Sequence, residues 1–444
     1  MNQHVAILSF LCALHVLCGM TSVMSAERQV TTAPYGHILT NVNVWSPDSQ
    51  RIVYDVRSDP AGDSFDGERI ETVHVDTGEV RVLYKSRREA KCGVATYSPN
   101  ANVVAFILGP EDPTPDWSYG PARRQGVLVD EVAPDVARCL DARDLVPPFT
   151  SGALRGGSHV HIFSGDGAWV SFTYEDHFLD RRRGIGGAER NRRTVAVAVP
   201  RPVAVPRTHP RNHDGTYFSA VIARTVEQPR PGSDEIAKAF EDAWVGTRGY
   251  RRSDGGWQAR ALAFQGLVTA ADGSTHSEAF IADLPDNVTM ASDGPLEGTE
   301  LLYPRPPRGV VQRRLTVTAG LDGPRHWLRS SPDGSRIGFL MRDRVGIVQL
   351  WTVSPNGGEP RQLTHNAHDI ASAFTWSPDG RFVAHVMDGS VCATDASTGF
   401  TQRLTAKFAP PPRPEACVVS PDGRWIAYVR TVNGWNQVFV CNAR

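Results

Sequence analysis

The sequence predicts an all-β protein, a seven-bladed β-propeller with a short helical insertion. Two observations support this fold class. The tetrapeptide Ser-Pro-Asp-Gly occurs at 331–334, 377–380 and 420–423, at spacings of 46 and 43 residues. Each copy lies between two short runs rich in apolar and β-branched residues, such as 336–340 after the first copy. Units of four strands that repeat over about 45 residues are typical of propeller blades.

The Ser-Pro-Asp-Gly segment has the chemistry of a tight turn between two antiparallel strands. Proline sets φ at the second position, aspartate tolerates the third, and glycine supplies a left-handed exit. Looser copies occur at 46–49, 98–101 and 164–167, and we interpret 213–215 (His-Asp-Gly) as a degenerate seventh copy. These turns predict seven blades.

The last repeat predicts how the ring closes. Only three strands are expected there, at 416–419, 425–429 and 437–441. A blade without its fourth strand would leave a sheet edge open. We therefore expect the segment 29–40, which precedes the first repeat, to supply the outer strand of the last blade.

Residues 1–26 have the pattern of a secretory signal peptide. An apolar run at 6–20 is followed by small residues that end at Ser25 and Ala26, although no Lys or Arg precedes Arg28. This pattern favours cleavage near Ala26 and a periplasmic or secreted protein, with an uncleaved anchor as the alternative. The mature chain, 27–444, is then expected to be one propeller domain without a membrane span.

Composition excludes several classes of protein. The chain has 47 Lys and Arg residues against 48 Asp and Glu residues, so its net charge of −1 argues against nucleic-acid binding through bulk charge. Five cysteines follow residue 26 without a Cys-X-X-Cys pair, so the fold is not expected to depend on disulfides. No Gly-X-Ser-X-Gly motif is present, which excludes a prolyl-oligopeptidase type of enzyme.

An insertion at about 229–256, in the fourth repeat, is expected to be helical. Ser233 is a suitable N-cap residue. Apolar residues then recur at helical spacing: Ile236, Ala239, Phe240, Ala243 and Trp244. Such a helix would either cover the mouth of the central channel as a lid or serve packing alone.

The repeats resemble the WD40-like repeats of TolB-type propellers, with a Gly-Gly tail that ends in Leu-Thr at 357–364. Over most of the mature chain the sequence more closely resembles the uncharacterised YidR-like family of bacterial propellers (domain of unknown function 3748), through 154–161, 231–236 and 309–315. That resemblance implies no established activity. A more distant similarity is to oligogalacturonate lyases, seven-bladed propellers that hold a divalent metal through axial histidines, and it implies a lyase acting on acidic sugars.

Polar residues collect on one face of the predicted ring. Because the Ser-Pro-Asp-Gly turn joins the first two strands of a blade, A and B, at one face of the ring, the start of strand A and the end of strand B lie at the other face. The residues predicted there to bind a ligand are Asn41, Asn43, Arg57, Arg155, Arg325, Arg342, Asp343, His365 and His368. A basic insertion at 181–193 lies on the same face and indicates either an anionic ligand or a solvated loop.

A divalent metal ion is the one cofactor that the sequence indicates. His159 and His161 are two residues apart on a strand, so their side chains are expected to point to the same side. With Asp176 and His326 they form a candidate ligand set, and His177 and Arg342 are candidate catalytic residues. The alternative is that these polar groups only satisfy backbone atoms and ordered water.

The sequence supports two functional hypotheses. The first is an exported binding or scaffold protein that presents a polar axial face to an envelope polysaccharide or protein. The second is a metal-dependent lyase or hydrolase acting on acidic oligosaccharides such as oligogalacturonate. Whether the protein is an enzyme stays open, because propellers with the same fold perform many functions.

Overall fold

Seven four-stranded antiparallel sheets follow one another around a ring, which confirms the seven-bladed propeller. The computed structural model describes residues 27–59, 62–318 and 323–443. The predicted signal peptide, 1–26, lies outside the described residues. In each blade we letter the strands A to D from the innermost to the outermost.

The strand bounds, from A to D, are Gly36–Ile38, Arg51–Arg57, Arg69–His74 and Val80–Lys85 in blade one; Cys92–Tyr97, Val103–Leu108, Gln125–Asp130 and Arg138–Cys139 in blade two; Gly156–Phe163, Val170–Asp176, Thr194–Val199 and Phe218–Val221 in blade three; Ile236–Trp244, Ala261–Thr269, Thr275–Asp283 and Val311–Arg314 in blade four; Arg325–Ser330, Ile337–Arg342, Val348–Val353 and Arg361–Gln362 in blade five; Thr375–Trp376, Phe382–Met387, Ser390–Asp395 and Thr401–Arg403 in blade six; and Cys417–Val419, Trp425–Val432, Trp435–Asn442 and Glu27–Gln29 in blade seven.

Short elements join these blades. The described chain contains one short α-helix, His177–Arg181, and one 3-10 turn, Pro121–Arg123. Ala142–Arg143 pairs in parallel with Ala153–Leu154 between blades two and three, and Tyr250–Arg251 pairs with Trp257–Gln258 inside blade four. In the described part of the chain no helix is long and apolar enough to span a membrane.

The A–B turns have the predicted chemistry. In blade five the Ser331 hydroxyl donates to Asp333 at 2.6 Å, and the backbone N–H of Gly334 donates to the Ser331 carbonyl at 2.9 Å. The backbone of Gly334 has φ of 72°, so this position needs the left-handed conformation that glycine adopts without strain. Turns of this kind therefore join strands A and B where the sequence repeats them, in every blade except blade four.

Apolar packing joins each blade to its neighbours. The buried residues form seven apolar clusters, and each cluster contains residues of two adjacent blades. Tryptophans on the inner strands add hydrogen bonds across these joints. The indole N–H of Trp45 donates to the Val418 carbonyl at 2.9 Å, and that of Trp244 donates to the Ile162 carbonyl at 3.0 Å. The sheets therefore stand as one ring around the channel. The five described cysteines are free.

The N-terminal segment closes the ring, as predicted, with different bounds. Strand Glu27–Gln29 pairs with strand C of blade seven, where Glu27 lies opposite Cys441. The backbone N–H of Val30 continues the ladder to the Val438 carbonyl at 2.9 Å. The later part of the predicted segment does not belong to blade seven, because Gly36–Ile38 is the inner strand of blade one.

Two local predictions were wrong. The segment Ile236–Trp244 is the inner strand of blade four and not a helix. Its register with strand B shifts twice, between Ile236 and Ala239 and between Phe240 and Ala243. Two bulges give the buried residues the spacing of a helix. The segment 213–215 is not a seventh A–B turn, because it lies between strands C and D of blade three, where His213 bridges to Arg143.

Candidate ligand-binding face

We call the face opposite the A–B turns the B–C face, because it carries the connections between strands B and C. In an antiparallel blade successive connections alternate between the two faces of the ring. The B–C connections of blades two and three are long, at 109–124 and 177–193. These two segments place most of the polar side chains described below.

The two strand histidines of blade three do not share a face. His159 lies opposite Thr173, but the register shifts before Ile162 and Val160 has φ of 56°. This bulge turns the His161 ring toward Phe172, with ring centroids 5.6 Å apart. His161 therefore points into the joint between blades two and three. Burial lowers its pKa to about 3, so the ring is neutral at physiological pH.

Asp176 is engaged in structural contacts, and the structure does not leave it free to bind a metal. Its Oδ2 accepts from Nε of Arg155 at 2.9 Å and from the Tyr174 hydroxyl at 3.0 Å. Its Oδ1 caps the short helix by accepting from the Leu179 N–H at 2.9 Å. Both side chains of the Arg155–Asp176 pair are 0% exposed. Arg155 is therefore a buried structural cation and does not reach a ligand on the surface.

His177 follows Asp176 in sequence but packs elsewhere. Its ring meets the Trp117 indole edge to face, with centroids 4.6 Å apart. Burial, with the nearby cations Arg123 and Arg143, lowers the pKa of His177 to about 4. This candidate base lies away from the axis, beside blade two.

Arg329 crosses the channel from blade five to blade one. Its Nη2 donates to the Asn41 side chain, and its Nη1 donates to the Leu328 carbonyl at 2.7 Å. Blades one and five are not neighbours, so this contact braces the ring across its axis. Asn41, predicted to bind a ligand, is buried in this brace. A cavity of about 320 Å³ opens on the A–B side of the axis, where Asn43 and Arg329 line it with the inner-strand tryptophans.

Two acidic side chains of blade four lie near this brace. Burial raises the pKa of Glu241 to about 7, although Arg329 and Arg193 act against the rise. Burial likewise raises the pKa of Asp242 to about 6. Glu241 accepts a hydrogen bond from the Gln265 amide, which also donates to the His326 carbonyl. His326 therefore contributes its backbone here, and burial lowers the pKa of its ring.

The remaining predicted residues are distributed over several blades. Arg57 is paired with buried Asp55, with Nε to Oδ2 at 2.7 Å. In blade five Asp343 accepts from the N–H groups of Val345 and Ile347, both at 3.0 Å, and so shapes its own loop. Arg342 donates to the Gly346 carbonyl of the same loop.

Three predicted residues of blades five and six lie away from the blade-three histidines. Arg325 begins strand A of blade five, opposite Leu340. His365 is exposed, with Nδ1 3.1 Å from the Gln362 amide. His368 is exposed, with Nε2 3.7 Å from Oδ2 of Asp388. Neither histidine forms a shared site with His159.

What the structure brings together instead is a basic site that we call the axial mouth, formed by Tyr119, Arg124, His159, Glu175 and Arg193. Burial, then Arg124 and Arg193, hold the pKa of His159 well below its usual range. Arg193 pairs with Glu175 at 2.8 Å. Arg124 is 6% exposed, its Nε has no hydrogen-bond partner in the described chain, and its guanidinium lies 5.7 Å from the Tyr119 ring.

The most informative segment of this face was not among the residues predicted from the sequence. Residues 117–124 read Trp-Ser-Tyr-Gly-Pro-Ala-Arg-Arg and lie in the B–C connection of blade two. Two aromatic residues and two adjacent arginines in one loop are the signal that could have identified it. The sequence analysis instead assigned a possible anionic ligand to the arginine-rich insertion of blade three, 181–193. There Arg192 is buried and bonded to Thr225, and Arg193 is paired with Glu175.

The fold and this face define a class: seven-bladed propellers with a polar mouth on the channel axis. An oligogalacturonate lyase solved in complex with manganese aligns with 94% of this chain and 93% of its own, at a TM-score of 0.56 and 14% identity. An oligogalacturonate lyase from Vibrio parahaemolyticus aligns with 96% of this chain and 95% of its own, at 0.53 and 9% identity. These likenesses show a shared fold.

The family is shown by sequence. The family model described as Protein of unknown function (DUF3748) matches residues 91–213. The uncharacterised protein YidR of Escherichia coli (strain K12) is 45% identical over 420 residues, which are 92% of this chain and 96% of that protein. The chain therefore belongs to the YidR family.

The residues present do not fit a metal ion such as the manganese of that lyase. The predicted convergence of His159, His161, Asp176, His177 and His326 is not formed. No group of three or more His, Cys, Asp or Glu side chains in the described ranges could hold a metal ion. The physical reasons are the bulge that turns His161 away and the buried pair that engages Asp176.

Proposed function

We propose that the protein is an exported binding protein whose axial mouth takes an acidic oligosaccharide of the cell envelope. The observation that supports this most directly is Arg124. Its guanidinium is almost fully buried, retains an unused donor, and has no carboxylate within salt-bridge distance among the described residues. Burial lowers its pKa, and a buried cation gains most from an anionic partner.

The surroundings of Arg124 favour a sugar as the carrier of that anionic group. Tyr119 is 37% exposed and stacks on Phe65, with ring centroids 4.5 Å apart. A flat aromatic pair beside a cation offers an apolar surface and an ionic contact at once. His159, neutral and half-buried, adds a hydrogen-bonding group at the same mouth.

The axial mouth supports binding better than lyase chemistry. A lyase of the predicted kind needs a metal site and a base beside it. The donor set does not fit a metal, and His177, the candidate base, packs against Trp117 away from the mouth. Binding requires only the cations and aromatic rings that the mouth presents.

Binding is tested by calorimetric titration with trigalacturonate and with the neutral trisaccharide maltotriose at fixed ionic strength. We expect trigalacturonate alone to bind, and Arg124→Gln to weaken binding at least about tenfold, or about 1.4 kcal/mol. Arg193→Gln, at a more exposed position, should also weaken it. Arg81→Gln is the matched control, because Arg81 is exposed and paired with Glu79 on blade one. Equal losses in Arg81→Gln, or equal binding of both trisaccharides, would contradict the proposal.

Export is part of this proposal, and the signal-peptide pattern of residues 1–26 supports it. The predicted cleavage site ends at Ala26, directly before the first residue that the structure describes. Cleavage there would leave every described contact of strand Glu27–Gln29 in place. We expect the protein purified from the native cell envelope or medium to begin at Glu27, as read by N-terminal sequencing. A cytoplasmic protein that retains Met1 would refute export.

A further inference from the structure

A second basic site lies on the B–C face beside blade two. We call it the Trp117 pocket, formed by Trp117, Arg123, Arg143, His177, His209 and Arg211. Trp117 is 6% exposed. The guanidinium carbons of Arg123, Arg143 and Arg211 lie 5.7, 5.6 and 5.7 Å from its ring centroid. A cation–π contact involves one cation and one ring, whereas three cations surround this buried indole.

Arg143 lies buried at the bottom of this pocket. Its Nε donates to the Gly156 carbonyl at 3.2 Å, and its Nη2 donates to the carbonyls of Arg123 and Arg124. These bonds fix the 3-10 turn that carries both arginines. The charge of Asp141 raises the pKa of Arg143 and so opposes the effect of burial. Neither Asp141 nor any other carboxylate of the described chain lies within salt-bridge distance of Arg143.

Arg123 and Arg211 form the accessible rim and contact only neutral groups. Nη1 of Arg123 donates to the Ser118 carbonyl at 3.2 Å. Arg211 donates to the backbone carbonyls of Glu111, at 2.6 Å, and Asp112, at 2.9 Å. Neither guanidinium is within salt-bridge distance of a carboxylate among the residues that the structure covers. Both arginines are half-buried, so their charge is screened less than on an open surface.

The two imidazoles complete the pocket without adding charge. Nδ1 of His177 is buried and has no hydrogen-bond partner in the described residues. Burial lowers the pKa of both His177 and His209, and the arginines lower it further. A neutral imidazole retains one N–H donor for an incoming oxygen atom.

We propose that the Trp117 pocket binds the carboxylate group of an acidic sugar residue through Arg123, Arg211 and His177. The planar fork of a guanidinium matches the two oxygens of a carboxylate. The site deepens the proposed function, on which it rests: Arg123 and Arg124 are adjacent, and one faces the Trp117 pocket while the other faces Tyr119 at the axial mouth. Arg123 and Arg124 of the same turn can then bind two carboxylates of one oligosaccharide.

The test uses the full mature protein and the monosaccharide D-galacturonate, with D-galactose and inorganic phosphate as comparison probes. Binding is followed through the indole N–H signal of Trp117, assigned by its loss in Trp117→Phe. We expect galacturonate to shift this signal in the millimolar range and galactose to leave it unchanged. Arg123→Gln and Arg211→Gln should each weaken the effect at least about tenfold. Arg81→Gln, with the same change in net charge, should not.

Each other outcome overturns the assignment. A response to phosphate but not to galacturonate would exclude the carboxylate, and an equal response to galactose would exclude an anion site. Equal weakening in Arg81→Gln would reduce the effect to bulk charge. Failure of the proposed function gives a different result. In that case Arg124→Gln does not weaken trigalacturonate binding, while the response of the Trp117 signal to galacturonate is unchanged. If Arg123→Gln melts at a lower temperature than the wild type, the proposal is judged from the binding measured with Arg211→Gln.

Discussion

Glu241 shows how one residue of the inner ring couples protonation to stability. It occupies a bulge of blade four with φ of 55°, and burial raises the pKa of its carboxyl to about 7, above its usual value near 4.5. The folded state therefore binds this proton more tightly than the unfolded state. The stabilisation is complete below about pH 4.5 and is lost as pH rises through 7.

We predict that Glu241→Gln, which keeps the shape without the charge, stabilises the protein increasingly as pH rises from 5 to 8. The gain relative to wild type should reach on the order of 2 kcal/mol at pH 8. Thermal melting across this range measures it. Glu359→Gln, at an exposed position of blade five, is the control and should show no such trend. A constant difference between wild type and Glu241→Gln would refute the coupling.

At the residue scale, the sequence predicted which residues lie on the B–C face better than it predicted where their side chains point. His159, Arg155 and Asp176 do lie at the B–C end of blade three, as the strand pattern indicates. The bulge at Val160 is one residue long and leaves no mark on composition or spacing, so strand parity failed for His161. The pairing of Arg155 with Asp176 depends on tertiary packing that local pattern does not encode.

At the scale of elements, strand Ile236–Trp244 explains why a helix was predicted where a strand forms. Its apolar residues recur at three- and four-residue intervals because two bulges each add a residue to the alternating pattern of a strand. The A–B turns of the other blades were predictable because their chemistry is local. In blade four a long connection with its own hairpin, Tyr250–Arg251 and Trp257–Gln258, replaces that turn.

The closing strand is the element whose removal the structure makes most informative. Besides its backbone ladder, the Thr31 hydroxyl donates to the Gln437 side chain at 2.8 Å and accepts from the Val438 N–H at 2.8 Å. Glu27 contacts the Tyr428 hydroxyl and Arg430. These contacts tie the two ends of the described chain together.

We predict that a chain beginning at Thr32 melts roughly 5–10 °C below one beginning at Glu27, because strand C of blade seven becomes an open edge. The truncated protein should also self-associate as its concentration rises, as measured by light scattering. Thr31→Val, which removes one side chain's hydrogen bonds and keeps the strand, should melt between the two. An unchanged melt after truncation would show that the ring does not depend on this strand.

On the scale of the whole molecule, charge is unevenly arranged although the total is close to zero. Many arginines pair with carboxylates on their own blade, such as Arg81 with Glu79 and Arg413 with Glu415. Arg124 at the axial mouth and the three arginines of the Trp117 pocket depart from this pattern, since none of them is within salt-bridge distance of a carboxylate in the described residues. Net charge, read from composition, therefore excluded a bulk polyanion binder but could not reveal a local basic site, because local charge depends on which blades face each other.

The first strand of the described chain also sets an order of assembly. Blades one to six each draw their strands from one continuous stretch of chain, so they can form successively as the chain is synthesised. Blade seven cannot, since it joins Glu27–Gln29 to a strand that begins at Trp435. Strand Glu27–Gln29 therefore stays unpaired until strand Trp435–Asn442 has been synthesised. Until that pairing forms, strand C of blade seven has a free edge that other chains could capture.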